Sequence, residues 1–306
     1  MTEKSLMKDK TKGRLLIVAT ALLWGLAGVC VKSIPWHSVS IMAARCGIGI
    51  IMLGINKRSF RLRGNKKTLL GAVFMSLTGL LYMASIKLTT AATAIVLQYI
   101  APILVFLFSV VVQKVKPKLA EALIVLAVFG GCVLSFADQL DPSRVLGNAL
   151  GLLSGVTFAG QIIVFSDKSA DSNDGMYLSN VLSFIVCLPF MFFDKALDFS
   201  PKTVFWVLIL GIFQYGMANI CYARGCQKID KIETSLLLTI EPIFNPIPVW
   251  IVTGEKMGPL ALAGFVIVIT AVTLYGALPL IEKKLQGKTP PAVTAQDTDK
   301  EKTHER

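Results

Sequence analysis

The sequence predicts an all-α membrane protein of ten transmembrane helices arranged as two inverted five-helix repeats. Three observations carry that prediction: apolar residues come in long blocks, the chain repeats itself at a fixed offset, and basic residues collect in alternate connections. Of 306 residues, 54% are hydrophobic and 16% charged. The apolar positions run on without the polar face that a surface helix of a soluble protein shows.

Ten blocks, each near the roughly 20 residues needed to cross a bilayer, cover 15–33, 38–56, 68–88, 91–113, 119–137, 145–165, 176–193, 203–223, 233–252 and 259–281. The first holds Trp24 and the second a deep arginine, Arg45. The fourth contains Gln98 and Tyr99 just before Pro102, and the fifth follows the basic stretch QKVKPK. In the sixth, glycines at 147, 151 and 155 recur every four residues, giving a smooth stripe for close helix packing. In the eighth, Gln214, Tyr215 and Asn219 share part of one helical face. The ninth, LLLTIEPIFNPIPVWIVTGEK, is the least regular, and residues 285–306 read as a disordered polar tail.

The formal net charge of +12 does not point to nucleic acid, because the basic residues sit between the spans. If the chain starts on the cytoplasmic side, Lys and Arg number 21 in cytoplasmic connections against 6 in the opposite ones, namely Lys32, Lys87, Arg144, Lys195, Lys202 and Lys256. Cytoplasmic connections of membrane proteins carry that excess, so both ends are expected in the cytoplasm.

At an offset of 140 residues the chain matches itself without a gap: Leu70-Gly71 with Leu210-Gly211, Tyr82 with Tyr222, Ile100 with Ile240, and Pro102-Ile103 with Pro242-Ile243. The offset lays the third span on the eighth and the fourth on the ninth, so each unit holds five helices. Five is odd, so the second unit starts from the other side of the membrane and lies upside down. The units expected are a segment 1–13, a first repeat 14–142, a second repeat 143–284 and the tail 285–306. Inverted repeats are characteristic of carriers that alternate access to a site near mid-bilayer.

Polar residues inside the spans mark where such a site could lie. Prolines at 242, 246 and 248 lack an N–H and crowd the preceding turn, so the carbonyls of Leu238, Pro242 and Phe244 lose their helical donors. Unpaired carbonyls are tolerated only against protein or a wet cavity. Glu241 sits at the same depth, where an ionised side chain calls for a partner, a cavity or a proton. The ninth span is therefore expected to border a hydrated pathway, although a simple packing kink with Glu241 bonded to a neighbour fits the same residues. Arg45 could pair with Glu241, meet an anionic substrate or fix helix packing; a structural role is expected. Trp24, Gln98, Tyr99, Gln214, Tyr215, Asn219 and Asn245, with Gln161 and Tyr222, supply aromatic faces and amides suited to a small organic solute. Pro102, Pro242 and Pro246 are candidate hinges.

The six cysteines form no CxxC pair and read as small packing residues. No P-loop, zinc spacing or serine nucleophile motif is present, and the two histidines, His37 and His304, fall in a loop and in the tail. No catalytic residue, metal ion or cofactor is expected, and the chain is not expected to be an enzyme.

The segments ALLWGLAGVCVK at 21–32, AARCGIGIIML at 43–53, QYIAPI at 98–103 and LLLTIEPIFNPIPVWIVTGEKMGPLALAGFVIVIT at 236–270 resemble the EamA-type branch of the drug/metabolite transporter superfamily over residues 14 to 281. The most specific piece is Thr239-Ile240-Glu241-Pro242 followed by Gly254-Glu255-Lys256. The resemblance implies a ten-helix inner-membrane carrier of inverted repeats. It matches Trp24-Gly25, Arg45, Pro102, Pro242, Glu241 and Glu255 to family positions, and it lines the cavity mainly with the third, fourth, eighth and ninth helices. QKVKPK departs from the family's Gly-Glu in the first half, so the two halves do not contribute equal acids. The expected function is alternating-access export of amino acids or related polar or amphipathic metabolites from a bacterial cell, by a monomer or homodimer, with a coupling proton as a candidate partner. A nucleotide-sugar or sugar-phosphate carrier, or a non-transporting membrane assembly or receptor subunit, is the alternative.

Overall fold

The computed structural model describes residues 3–286 except 90, 117, 136, 138–142, 246, 249–250 and 252–257. All regular structure among them is helical. In chain order the helices are α1 (Glu3–Trp24), α2 (Ala27–Lys32), α3 (Ser38–Asn56), α4 (Lys66–Leu88), α5 (Ala91–Gln98), α6 (Ala101–Val111), α7 (Leu119–Ser135), α8 (Val145–Phe165), α9 (Ser172–Met191) and α10 (Pro201–Ile209). A π-helical segment, Leu210–Met217, leads into α11 (Ala218–Gly225), followed by α12 (Lys231–Leu238), α13 (Ile240–Phe244) and α14 (Pro259–Gln286).

Seven helical stretches are long and apolar enough to cross a membrane: Lys8–Val31, Ser38–Asn56, Lys66–Ser85, Thr93–Val111, Val145–Phe165, Ser172–Met191 and Pro201–Gly225. The fifth and tenth expected spans are shorter apolar helices, Leu119–Leu134 and Leu262–Tyr275. The ninth begins as α12 and α13 and then runs into residues outside the described set, which also contain Pro246 and Glu255. Large apolar side chains such as Ile55, Leu123, Leu126, Phe190 and Phe193 stay exposed on the outer surface, as they do where the solvent is hydrocarbon rather than water. This is an all-α, multi-pass membrane protein.

Several helices start on side-chain caps. Asn65, Asp171 and Asp230 accept from the N–H of Thr68, Asp174 and Glu233 at 2.9, 3.0 and 2.9 Å, supplying acceptors for donors that the first turn leaves free. α10 starts with Ser200 as cap and Pro201 in its first turn, where the missing N–H does no harm. α3 and α6 both end by a left-handed residue that is not glycine, Arg58 (φ 51°) and Lys114 (φ 54°). Each is followed by a bond back across the last turn, Ser59 N–H to Gly54 O at 3.0 Å and Val115 N–H to Ser109 O at 3.1 Å. A side chain in that conformation costs roughly 1–2 kcal/mol, partly offset here by a cation at the helix C-terminus. Lys114→Gly is therefore expected to raise stability by about 1 kcal/mol, read as a higher melting temperature of the purified protein in detergent.

The packing has an internal correspondence. α4 lies along α8, as α11 and the π segment lie along α1; α4 touches α9, as the π segment touches α3; and α5 touches α8, as α12 and α13 touch α1. α3 packs on α9 and α7 on α14, and these pairs map onto themselves when the halves are exchanged. The core between them contains Ile17, Met42, Tyr99, Phe158, Phe165 and Tyr222. The cysteines are free, and all but the half-buried Cys221 are buried.

Both ends of the bundle are tied across the halves. At one end Arg14 pairs with Glu233, Lys57 with Asp174, Lys67 with Asp167 and Lys228 with Asp9, while Arg224 bonds Asn56. The Lys67 ammonium and the Ser169 N–H and hydroxyl hold the Asp167 carboxyl down at about 2. That tie is complete above the usual carboxylate range and is lost as pH falls toward 2. At the other end Asp194 accepts the His37 N–H at 2.9 Å, and Trp36 Nε1 donates to Asp198 O at 2.8 Å. Lys57 is the most enclosed of these cations; it also lies 4.1 Å from the centre of the Tyr177 ring and bonds Arg61 O at 2.8 Å. Lys57→Asp is expected to cost about 2 kcal/mol, and the exchange K57D/D174K to recover part of it. Recovery stays incomplete because aspartate forms no cation–π contact. Thermal melts of the two variants check both outcomes.

Candidate functional site

Three spans break and a fourth loosens, and the irregular stretches contact one another. α1 stops at Trp24, turns at Gly25-Leu26 and resumes as α2. α5 stops at Gln98 and resumes after the Tyr99-Ile100 turn, and α12 gives way at Thr239 to α13. Pro102 and Pro242 explain the last two, since neither can donate to the carbonyl four residues back, on Gln98 and Leu238. At Thr239 both the N–H and the hydroxyl turn to Leu236 O, at 3.1 and 2.5 Å. The π segment contains Gly211 and Gly216, which pack on Ile48 and Met52 of α3; such segments recur at functional sites.

Glycines let the freed backbone approach. A Cβ on Gly25 would lie 3.3 Å from Glu241 O, and one on Gly155 would lie 2.8 and 2.9 Å from the carbonyl oxygens of Leu97 and Gln98. α1 thus meets the break before α13 as α8 meets the break after α5. The stripe at 147, 151 and 155 is a close-packing surface, as its spacing suggests.

Leu238 O, deprived of a helical donor, is served from the other half of the chain. The Tyr99 hydroxyl lies 3.1 Å from it and 2.7 Å from Glu241 Oε2. Tyr99 is buried, Glu241 half-buried. Tyr99 meets Phe158 edge-on at 5.8 Å between ring centres, Phe158 meets Trp24 at 6.4 Å, and Trp24 stacks on Tyr222 at 5.5 Å with 28° between planes. Gln214 Nε2 reaches Trp24 O at 3.4 Å. Trp24, Tyr99, Gln214 and Glu241 are thereby brought together.

Around this aromatic run, the buried Trp24 Nε1 and Gln214 Oε1 lack hydrogen-bond partners, while the Tyr222 hydroxyl faces the Gln161 amide and the Tyr215 hydroxyl faces the Asn219 amide without well-formed hydrogen-bond geometry. Each such group costs roughly 1–3 kcal/mol if left dry, so a cluster of them calls for water or a polar solute to complete it. Arg45 lies 4.5 Å from the centre of the Tyr215 ring, touches Met42 Sδ at 3.4 Å and leaves Nε unpartnered. Among the described residues it makes no ion pair, with Glu241 or any other acid. Met42 also lines an apolar cleft of about 330 Å³ with Val39, Leu80, Met83 and Cys187, between α3, α4 and α9.

The remaining candidates lie at the margins. Gln98 is half-buried at the end of α5, and Asn245 is half-buried at the end of α13, its N–H bonded to Glu241 O at 2.9 Å. No group of His, Cys, Asp and Glu able to hold a metal ion occurs among the described residues. Phe158 was not legible as a site residue, because a phenylalanine in an apolar helix carries no distinguishing signal, and Gly25 stood out only through the family resemblance.

Comparison with known proteins places this geometry in context. The model of the EamA-like transporter family matches the chain twice, over residues 11–137 and 145–277. An uncharacterized transporter of Archaeoglobus fulgidus is 26% identical over 272 residues, covering 86% of this chain and 95% of the relative. The uncharacterized inner membrane transporter YicL of Salmonella typhimurium is 22% identical, covering 78% and 86%. The uncharacterized transporter YxxF of Bacillus subtilis is 21% identical, covering 95% and 96%. A crystal structure with 16% identity superposes with a TM-score of 0.74 over 90% of this chain and 99% of that one, a likeness of fold.

Proposed function

The chain belongs to the EamA-like transporter family, and from that premise we propose that it is a secondary carrier which exports a small polar or amphipathic metabolite, such as an amino acid, by alternating access. As a membrane transporter it acts on a small-molecule substrate within a lipid bilayer. The observation that carries the finer reading is the contact between the breaks in α1/α2, α5/α6 and α12/α13, with a carboxylate and a set of unpartnered polar atoms beside them. Discontinuous helices of this kind build the sites of carriers. Glu241 holds either an ammonium group of the solute or a coupling proton; Trp24, Tyr99, Gln214, Tyr215 and Asn219 flank the solute; Arg45 positions Tyr215; and the prolines let the broken segments move.

The two halves, 14–142 and 143–284, act as inverted five-helix units, a reading supported by the double family match and the exchange-related packing. The setting is a bacterial inner membrane with both ends in the cytoplasm, and the functional unit is a monomer or homodimer. A sugar-phosphate or nucleotide-sugar carrier would need several inward cations for its phosphates, whereas Arg45 stands alone among the described residues beside the aromatic run.

The test is an untargeted comparison of metabolites inside and outside cells with and without the protein, followed by flux of any hit in proteoliposomes. A solute accumulating outside only on expression supports the carrier. No flux of any solute, in a protein shown to be folded, overturns it in favour of a membrane assembly or receptor subunit.

A further inference from the structure

Resting on the carrier reading above, we propose that Tyr99 reads the proton on Glu241: it latches the turn after α5 to the broken ninth span when the carboxyl is protonated and releases it when the carboxyl is ionised. Tyr99 is then a positioning residue, and the coupling ion is H⁺.

The argument is an inventory of hydrogens. A phenol owns one O–H hydrogen, yet the Tyr99 oxygen faces two acceptors, Glu241 Oε2 at 2.7 Å and Leu238 O at 3.1 Å. With Glu241 ionised the hydrogen goes to the carboxylate, the stronger charge-assisted acceptor. Leu238 O is then stranded in a fully buried residue, and its α-helical donor is missing, because residue 242 is proline. With Glu241 protonated, its own O–H donates to the Tyr99 oxygen, and the phenolic hydrogen is free for Leu238 O. All three groups are then satisfied in one chain. The proton arrives on Oε2 from water on the open side and returns to water on the other; no bond other than O–H forms or breaks.

The latch spans the two halves of the protein, which gives it mechanical leverage. Tyr99 sits in the turn between α5 and α6, and Leu238 and Glu241 flank the turn between α12 and α13. The titratable and charged groups that bear on Glu241 are Arg45 of α3, Tyr82 of α4 and Tyr99 itself, with Cys132 of α7 behind Tyr99. α1 presents Gly25, while α7 and α14 meet Ile243 with apolar side chains such as Val128 and Val268. On α12, Glu233 is paired with Arg14 at the far end of the helix.

The experiment uses purified full-length protein and two readouts that need no substrate. Infrared difference spectra across a pH series identify the protonated Glu241 carboxyl as the band missing from Glu241→Gln. Hydrogen exchange of the 239–245 amides, corrected for intrinsic pH dependence, reports the latch. In the wild type, exchange is expected to rise about tenfold as that band disappears. In Tyr99→Phe it is fast at every pH. In Pro242→Ala, where residue 242 regains an N–H for Leu238 O, it is slow at every pH, and this second variant keeps the test decisive if Tyr99→Phe folds poorly. Wild-type exchange that ignores the carboxyl titration, or a pH response unchanged in both variants, overturns the latch. Neither outcome touches the carrier reading, which stands or falls on solute flux.

Discussion

Glu241→Gln is expected to cut transport by about 10- to 100-fold while leaving a folded protein. The amide keeps the shape of the side chain and can still accept from Tyr99 at the 2.7 Å contact, so the α12–α13 turn has no reason to collapse. What it loses is the ability to carry a negative charge or an exchangeable proton. A charged hydrogen bond is worth roughly 1.5–3 kcal/mol, so flux should fall about 100-fold at the upper end of that range. The check is initial-rate uptake of the identified solute by proteoliposomes carrying equal amounts of either protein, with gel filtration and a thermal melt to show that both are folded. Flux equal to wild type would remove Glu241 from the mechanism, and with it the case for the ninth span as the acidic wall of the pathway.

Much of this architecture was legible because it depends on local chemistry. The spans announce themselves by apolar length. Pro242 dictates an orphaned carbonyl on Leu238 whatever the fold, and Glu241 in the same turn marks the place. What the sequence could not supply was the donor, since Tyr99 lies 139 residues from Leu238 and only tertiary packing joins them. Arg45 shows the converse: its depth was legible, but its resting place on the Tyr215 ring depends on the π segment, which no proline or charge marks and which packs through Gly211 and Gly216 on α3. Basic residues such as Lys57, Lys67 and Lys228 served as topology signals, yet their acidic partners Asp174, Asp167 and Asp9 are separated from them by loops and whole helices.

Alanine scanning of the α8 glycines is expected to give a graded loss of stability that follows what each new methyl group meets. At Gly147 it would fall 2.6 to 2.7 Å from the C and O of Leu88 and the N of Thr89, all backbone atoms that cannot turn aside. At Gly155 it would fall 2.8 and 2.9 Å from the oxygens of Leu97 and Gln98, and at Gly151 its closest neighbour is the Ser85 hydroxyl at 3.0 Å. Overpacking costs about 1–3 kcal/mol, against a gain of roughly 1 kcal/mol for alanine over glycine in a helix. Gly147→Ala and Gly155→Ala should therefore each lose up to about 2 kcal/mol net, and Gly151→Ala should lie near wild type. Thermal melts in detergent rank the three, and a Gly147→Ala protein as stable as wild type would contradict the packing described. The two damaging changes differ in what they disturb. Gly147 meets the end of α4 remote from the breaks, whereas Gly155 supports the carbonyls of Leu97 and Gln98 just before the turn that carries Tyr99. Gly155→Ala is thus expected to reduce flux beyond what its lost stability explains, and Gly147→Ala only in proportion to it, because only the first displaces the phenol from Leu238 and Glu241.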